Sequence, residues 1–516
     1  MTPTQPTSSA GTGDGYLLPR RQTLIAIIGV LLGMLLAALN QTIVATALPV
    51  IVADLGGVEH YSWVFTAYML AATVSTPIYG RLSDVHGRRL FFICGIVLFM
   101  AGGVVGATAQ SMTQLVLARG IQGLGAGALM PLAIATIGDL VPPSDRGRWQ
   151  GLTGAVFGVA SILGPTTGGY IADNADWRWV FIVSLPVALI ALVVVATTLK
   201  IPPHPERGTK IDYTGAALLA AGLSSALLGL VRGGQEAPWD SPQVLGLIGA
   251  GVLLLTVFLW WEHRVEQPIV PVELFKIRTV SAAGLAGFAT GVGMFGTIMF
   301  VPLFVQGVLG GSATSSGLVL TPLMLAMMAT SVGSGQVITR TGRYRWALLA
   351  GPVVMGTGFA LLSLLDAGST RGQTTLAMVI AGAGLGLLVQ NLALVVQNAV
   401  PSRHMGVATS LAQFSRSIGG TVGVSAMGAI LAAGLPAGAA TRALGGGAEA
   451  AAASSAARAE LAAAIHPIFL IGVPMMAITL VLVALIPEQP LRRAVRDDVA
   501  HPETPAAGEH ERAVAA

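Results

Sequence analysis

The sequence predicts an all-α membrane protein with 14 transmembrane helices, and three observations lead to this fold class. Of the 516 residues, 53% are hydrophobic and only 10% are charged, whereas soluble domains average about 25% charged residues. Apolar stretches of roughly 20 residues, the length that a helix needs to cross a bilayer, recur along the chain. Lys and Arg residues concentrate in every second connection between these stretches.

Fourteen apolar segments have the length of a membrane-spanning helix. The first is too long for the apolar region of a cleaved signal peptide, so we expect it to be a permanent transmembrane helix. The predicted spans are 24–52, 62–80, 90–109, 112–138, 149–171, 179–199, 213–231, 244–262, 281–305, 316–338, 346–365, 374–396, 404–432 and 464–486.

The distribution of positive charge predicts the orientation of these spans. With a cytoplasmic N-terminus, 21 of the 28 Lys and Arg residues lie in cytoplasmic segments and 5 lie outside. The remaining two, Arg119 and Arg416, lie within spans. Because short cytoplasmic loops carry the excess of positive charge in membrane proteins, we expect a multi-pass protein of the cell membrane with both termini in the cytoplasm.

Two glycine motifs recur at one spacing, which indicates a duplicated unit. Residues 80–89 align with 335–345, and 164–168 align with 419–423, each at an offset of 255 residues. Many transporters are built from such repeats, with the substrate site near the membrane midplane between them. The predicted organisation is a cytoplasmic N-terminal tail (1–21), a six-helix half (22–200), two extra helices (201–270), a second six-helix half (271–487) with an external loop (433–463), and a cytoplasmic tail (488–516).

Several functional classes lack their sequence signals. The single cysteine, Cys94, excludes a disulfide within one chain, and no His spacing predicts a metal site. None of the three lysines belongs to the phosphate-binding loop of an ATP-driven pump, and no nucleophile–base pair predicts an enzyme. We therefore expect no catalytic residues, no cofactor and no nucleic acid. The expected partners are a small-molecule substrate and the lipid bilayer, and we expect a monomer.

The connection between the second and third spans carries the sharpest local motif. Residues 80–89 form a short loop with glycine at each turn, the acid Asp84 and the arginines Arg81, Arg88 and Arg89. One interpretation is an ordinary positive loop on the cytoplasmic side. The other is a latch, in which Asp84 accepts charge-assisted hydrogen bonds in one conformation and releases them in another.

This loop resembles that of the major facilitator superfamily. The family motif G-x-L-x-D-(R/K)-x-G-R-R is matched at Gly80, Leu82, Asp84, Gly87, Arg88 and Arg89, whereas Val85 replaces the usual basic residue. Residues 115–123 resemble the family's fourth-helix motif, whose arginine, here Arg119, is associated with proton coupling. Residues 154–169, with Gly164 and Pro165, resemble the fifth-helix motif of antiporters. Residues 39–49 and 177–186 resemble motifs of the 14-spanner drug:proton antiporters.

The resemblance covers essentially residues 22–487. It implies a major facilitator fold of two six-helix halves plus two extra helices, and protons as a further partner. The residues that it and the loop charges suggest for proton coupling and conformational change are Arg119, Asp84, Arg88, Arg81, Asp139, Gly164 and Pro165.

Arg119 also has a physical argument of its own. An ionisable residue within a span costs at least about 2.5–3.5 kcal/mol and is a functional candidate by default, although a structural arginine bonded to carbonyls is the alternative. In many members of the family an Asp, which can carry a proton, occupies the position of Asn40, and the amide of Asn40 cannot titrate. Either an interfacial acid such as Asp139 or the charge of the substrate must then supply the coupling.

Polar and large apolar side chains within spans are candidates to line a substrate cavity. For the amides and Arg416 the alternative is hydrogen bonding between helices, and for the two apolar residues it is packing. Because Arg119 and Arg416 carry the charges within the spans, we expect a positive cavity that prefers neutral or anionic amphiphiles to dications. The predicted lining residues are Asn40, Gln41, Gln122, Phe295, Met299, Gln390, Asn391, Gln413 and Arg416.

The predicted function is secondary active export of drugs, antibiotics or similar amphiphilic molecules by alternating access. A dedicated exporter of an endogenous lipid, siderophore or metabolite is the alternative. An importer is a third possibility, which the antiporter-type motif at Gly164 and Pro165 disfavours.

Overall fold

The structure, a computed structural model, describes residues 19–55, 61–199, 212–233, 237–266, 268–309, 313–366, 368–401, 404–434 and 455–491. These residues form fifteen α-helices and a short 3-10 helix (Val272–Lys276). The α-helices are α1 (Arg20–Leu55), α2 (Tyr61–His86), α3 (Arg88–Ala107), α4 (Met112–Leu140), α5 (Pro143–Asn174), α6 (Trp179–Ile182), α7 (Ser184–Thr198), α8 (Tyr213–Arg232), α9 (Pro242–Glu262), α10 (Arg278–Gly307), α11 (Ala313–Thr341), α12 (Arg345–Ser363), α13 (Arg371–Ala399), α14 (Met405–Gly434) and α15 (Ser455–Ala484).

The predicted spans coincide with these helices, and α6 with α7 together accounts for the sixth span. Helix α15 begins at Ser455, so the last part of the segment predicted as the external loop 433–463 is helical. Residues 435–454 of that segment lie outside the described residues. So do residues 1–18 of the predicted N-terminal tail and 492–516 of the predicted C-terminal tail.

Ten of the described helical segments are long and apolar enough to cross a membrane. The four other long helices, α2, α5, α11 and α14, are those through which the two sets of helices meet: α2 packs on α14, and α5 packs on α11. A helix surrounded by protein can carry more polar residues than one that faces lipid, because its neighbours supply hydrogen-bond partners. The positions of these four helices therefore allow them to carry polar residues where the halves meet.

Helices before and after the α8–α9 pair pack in the same way. The contacts of α1 with α5, α2 with α4 and α3 with α4 have counterparts in α10 with α14, α11 with α13 and α12 with α13. Gly87 and Gly342, 255 residues apart, both have positive φ angles, 97° and 69°, which favour glycine. The two sets, hereafter the first half (α1–α7) and the second half (α10–α15), thus share packing and a turn conformation.

The α8–α9 pair lies beside the junction of the halves. Gly251 allows the two helices to approach closely, since a Cβ there would lie 2.6 Å from the backbone nitrogen of Ala226. An apolar cluster joins α8 and α9 to α2 and packs against residues of α14; it contains Val74, Leu219, Leu223, Leu227, Phe258, Ile269 and Val270. The pair therefore contacts both halves.

Candidate functional site

Asp84 joins the two halves at one end of the bundle. Its Oδ1 accepts a hydrogen bond from the backbone N–H of Gly406 (2.9 Å), and its Oδ2 accepts one from the N–H of Val407 (2.8 Å). Both donors lie in the first turn of α14, where backbone N–H groups lack partners within the helix and favour a negative charge. Close packing supports this contact, because a Cβ on Gly80 would lie 2.7 Å from Cβ of Ser410.

Arg88 holds Asp84 in place and connects it to a second carboxylate. Its Nη1 lies 2.5 Å from Asp84 Oδ1, and its Nε lies 2.7 Å from Asp139 Oδ2. All three residues are buried. Burial raises the pKa of the Asp84 carboxyl, while Arg88 and the two backbone N–H groups oppose this effect and Asp139 adds to it. We call Asp84, Arg88 and Asp139 the latch cluster.

Arg81 lies beside the latch cluster and is also buried. It interacts electrostatically with Glu262 at the end of α9. The carboxylate of Glu262 accepts hydrogen bonds from the N–H groups of Ile269 (3.1 Å) and Val270 (3.3 Å). Arg81 thus brings the loop motif close to the α8–α9 pair, which the sequence did not indicate.

Amide side chains join the halves at the same end. Gln150 Nε2 donates to Gln397 Oε1 (3.1 Å), and Gln397 Nε2 donates to the carbonyl of Ile134 (3.0 Å). Nearby, the backbone N–H of Arg148 donates to Thr339 Oγ1 at 2.9 Å. We call this end of the bundle, formed by residues 81–89, 139–150, 335–345, 397–401 and 404–407, the latch end.

Two residues predicted to line the cavity bond between helices instead. Gln390 Oε1 accepts a hydrogen bond from Thr153 Oγ1 (2.5 Å), and Asn391 Nδ2 donates to Ser334 Oγ (3.2 Å). Both amides are buried. Helix α13 lies behind the helices that surround the cavity, so its polar side chains bond to these neighbouring helices rather than face the cavity. The interhelical alternative therefore describes Gln390 and Asn391.

Arg119 is fully buried among neutral groups. Its Nη1 donates to Asn40 Oδ1 and to Gln122 Oε1 (2.9 Å), and its Nε donates to the carbonyl of Val64 (3.1 Å). Its guanidinium lies 4.2 Å from the centre of the Tyr68 ring. Within the described part of the chain, Arg119 Nη2, Asn40 Nδ2 and Gln122 Nε2 make no hydrogen bond. The sequence prediction grouped Asn40 and Gln122 with the cavity, and the structure places them around Arg119 behind it.

The predicted antiporter-type motif lies within α5, which continues through Pro165. At Gly164 a Cβ would lie 2.9 Å from Cβ of Thr42, so glycine allows α5 to approach α1 closely. Thr42 Oγ1 hydrogen-bonds to the carbonyls of Leu39 (3.1 Å) and Ala160 (3.4 Å). Gly164 therefore serves the packing of two helices that border the cavity.

A cavity lies midway along the bundle, between the two halves. It encloses about 60 Å³, far less than the roughly 300–1,000 Å³ of a site for a drug-sized ligand. A larger ligand therefore requires the halves to move apart. The cavity is lined by Ala37, Gln41, Tyr68, Met69, Ala72, Thr73, Thr76, Ala126, Gly127, Met130, Pro131, Phe157, Met294, Phe295, Gln413, Arg416 and Ser417.

The structure brings four of the predicted lining residues together here: Gln41, Phe295, Gln413 and Arg416. Met299 does not belong to them. It lies one turn beyond Phe295, about 6 Å further along α10, and its side chain is 53% exposed. Met294 lines the cavity in its place.

Other lining residues gave no distinctive sequence signal. Met69, Met130 and Phe157 are apolar side chains within apolar helices. In sequence they cannot be distinguished from residues that face lipid or pack between helices. Tyr68, Thr73 and Thr76 are small or aromatic polar residues of the kind that commonly bond to a neighbouring helix. Only the meeting of α2, α4 and α5 with the second half distinguishes them.

The fold and the site define a membrane transporter rather than an enzyme: a helical bundle of two similarly packed halves encloses a cavity at mid-depth. The sequence pattern of the Major Facilitator Superfamily matches residues 30–424. The chain belongs to this superfamily.

Known members support this assignment. The chain is 41% identical to the multidrug transporter protein MdtP of Bacillus subtilis (strain 168) over 412 residues, which cover 80% of the chain and 75% of the relative. It is 37% identical to multidrug resistance protein 3 of the same organism, over 81% of each chain. Among solved structures, the human organic anion transporter MFSD10 superposes with a TM-score of 0.62 over 89% of this chain and all of its own. At 17% identity that likeness concerns the fold alone.

Proposed function

We propose that this protein is a 14-span secondary exporter that moves amphiphilic small molecules out of the cell by alternating access, in exchange for protons. The cavity between the halves carries this proposal. Its lining combines Met and aromatic side chains with a few polar groups, and such a surface can accommodate varied apolar ligands. The relatives named as multidrug transporters support the same substrate class.

The contacts between the halves support the alternating-access step. The latch cluster and the amide bonds close the latch end, which the positive-inside rule assigns to the cytoplasm. Opening the cavity toward the cytoplasm then requires Asp84 to release the N–H groups of Gly406 and Val407. Rocking of two repeats about a central site is the usual form of this movement.

Proton exchange needs a group other than Asn40, whose amide does not titrate. The carboxylates at the latch end, Asp84 and Asp139, are buried and share one arginine. A proton on either would weaken its bond to Arg88, so proton binding and opening of the latch end would be linked. We propose these two acids as the coupling groups.

Efflux measurements test the function. Cells with and without the gene are compared for antibiotic susceptibility. Uptake of a fluorescent amphiphile into everted vesicles is then measured at a fixed pH gradient. We expect higher resistance and uptake into vesicles that collapses with the gradient. Equal susceptibility together with uptake of a single endogenous lipid, siderophore or metabolite would instead establish the dedicated exporter. No uptake of any amphiphile would refute the proposal.

Cysteine labelling tests the 14 crossings and their orientation. In a Cys94→Ser background, Asp240→Cys places a thiol in the α8–α9 connection and Arg264→Cys places one after α9; both positions are exposed. With cytoplasmic termini and an extra helix pair, a membrane-impermeant maleimide added to intact cells labels position 240 and leaves 264 unlabelled. The reverse pattern would overturn the orientation, and labelling of both or neither would overturn the crossing of α9.

A further inference from the structure

The central cavity has a positive charge that no acid in the described part of the chain neutralises. Arg416 is partly buried and lines the cavity. Among the described lining residues there is no Asp or Glu. A charged side chain at this depth is costly unless it finds a partner, so the environment of Arg416 determines what it can bind.

Among the described residues, the guanidinium of Arg416 has one hydrogen-bond partner, and it is neutral. Its Nη2 donates to Gln413 Oε1 at 2.5 Å, one turn earlier on α14. No carboxylate of the described residues forms an ion pair with it. Since a guanidinium carries five N–H donors, most of its hydrogen-bonding capacity remains for a ligand in the cavity.

Close packing of α10 on α14 fixes the backbone at this arginine. A Cβ on Gly291 would lie 3.0 Å from the backbone carbon of Arg416, and a Cβ on Gly420 would overlap the ring of Phe295. The two helices therefore approach closely at Gly291 and Gly420, with Phe295 and Arg416 both bordering the cavity. An apolar ring and a guanidinium that border the same cavity suit a ligand with an apolar body and an anionic head.

Arg119 strengthens the positive potential from the other half. Its guanidinium lies against Tyr68, whose side chain lines the cavity. Its bonds go to the amides of Asn40 and Gln122 and to a carbonyl, all neutral groups. Arg416 borders the cavity and Arg119 lies behind Tyr68, so both raise the potential in a low-dielectric space, where electrostatic effects are stronger than in water.

We propose that the cavity takes anionic amphiphiles and that Arg416, presented by Gln413, binds their carboxylate, sulfonate or phosphate group. This inference rests on the proposed function for its biological meaning, but the binding site itself does not depend on transport. A lipophilic cation would meet Arg416, with Arg119 behind Tyr68, and no acid among the described lining residues, so the same cavity disfavours it.

Three probes with one apolar body test the charge preference. Pyrenebutyrate, neutral pyrenebutanol and pyrenebutyltrimethylammonium are titrated onto the full chain in phosphatidylcholine nanodiscs, with empty nanodiscs subtracted. A hydrogen bond to a charged group contributes enough for about a tenfold change in affinity or more. We expect pyrenebutyrate to bind at least about tenfold more tightly than pyrenebutanol, and the cation to bind most weakly. Tightest binding of the cation would overturn the proposal.

Two variants assign the preference to Arg416. Arg416→Gln removes the charge, and Gln413→Glu keeps the arginine but gives it an internal carboxylate partner. Both should lower affinity for pyrenebutyrate about tenfold and leave pyrenebutanol binding unchanged. Arg264→Gln, which removes an exposed arginine outside the cavity, is the control and should change nothing. Unaltered pyrenebutyrate affinity in Arg416→Gln would overturn the assignment, because its unchanged pyrenebutanol binding shows that the cavity is intact.

Varying the lipid composition distinguishes the two possible sources of the anion, a lipid headgroup and a free amphiphile. If phosphatidylglycerol in the nanodiscs displaces pyrenebutyrate from the wild type, the site takes a lipid headgroup; if it does not, the site takes free anionic amphiphiles. Either result supports an anion site. Failure of the binding preference would leave export of cations or neutral molecules possible, whereas anion binding without export would refute only the proposed function.

Discussion

Replacing Asp84 with Asn should shift the protein toward a conformation with the latch end open. The carboxylate makes two hydrogen bonds to α14, at 2.9 and 2.8 Å, and an ion pair with Arg88. The amide keeps one oxygen that can accept from α14 but loses the charge. All these bonds are buried, so solvent does not screen them.

The size of the shift follows from the lost contacts. A hydrogen bond to a charged group contributes about 1.5–3 kcal/mol, so losing one of the two charge-assisted bonds and weakening the other gives about 3 kcal/mol. That corresponds to roughly a hundredfold change in the ratio of closed to open forms. A protein that is about 99% closed would then be about half open.

Distances between spin labels measure this ratio. Labels at Arg148→Cys and Arg343→Cys in a Cys94→Ser background lie at the latch end on different halves, at exposed positions. The otherwise unchanged chain should give one short distance, and Asp84→Asn should add a longer one of comparable population. Asp366→Asn, an exposed acid whose bonds to Gly368 and Ser369 are local, is the control. A distribution identical to that of the control would refute the reasoning.

Three further predictions concern Arg119, its partner Asn40 and the packing of α4. Arg119→Ala should abolish uptake into everted vesicles while the protein still appears in the membrane fraction; normal uptake would remove its assigned role. Asn40→Asp gives the Arg119 Nη1 donor a titratable carboxylate, so uptake should become more sensitive to a pH jump and accept cations better than the wild type; an unchanged pH profile would contradict this. Gly125→Ala should lower the melting temperature by an amount corresponding to about 1–3 kcal/mol, since its Cβ would lie 2.5 Å from the backbone nitrogen of Phe99. Gly120→Ala, whose Cβ meets no atom within 4 Å, is the matched control and should leave the melting temperature nearly unchanged.

The family and the helical segments could be predicted from the sequence because both depend on short-range patterns. Long apolar runs determine the helices, and the loop at 80–89 and the neighbourhood of Arg119 are compact motifs. Gly87 and Gly342 illustrate the point, since their shared spacing in the sequence corresponds to shared positive φ angles in the fold. The family assignment is confirmed by the match over residues 30–424.

The cavity could be predicted only in part because it depends on contacts between helices distant in sequence. Gln390 is as polar as Gln413, and both lie within predicted spans. One meets Thr153 across the junction of the halves, whereas the other meets Arg416 at the cavity. Met294 and Met299 differ by little more than one turn of α10. Which of them lines the cavity depends on its position along α10 relative to α2, α4 and α5. No local sequence pattern gives that position.

The two halves share their packing but not their charges, and this difference bears on mechanism. Gly123 packs on Tyr68 as Gly382 packs on Leu323, so α4 and α13 are related by 259 residues, and the contacts of Gly147 with Gly335 and of Gly406 with Gly80 give the same spacing for α5 and α14. This spacing relates Arg119 to Met378 and Phe157 to Arg416. Met378 and Phe157 are apolar, so each charged position has a neutral counterpart. Because the two halves pack alike, each half can adopt the arrangement that the other half had, as alternating access requires. Because the charges have no symmetric copies, the two arrangements differ in the potential that a substrate meets, and an anion bound at Arg416 would stabilise one of them over the other.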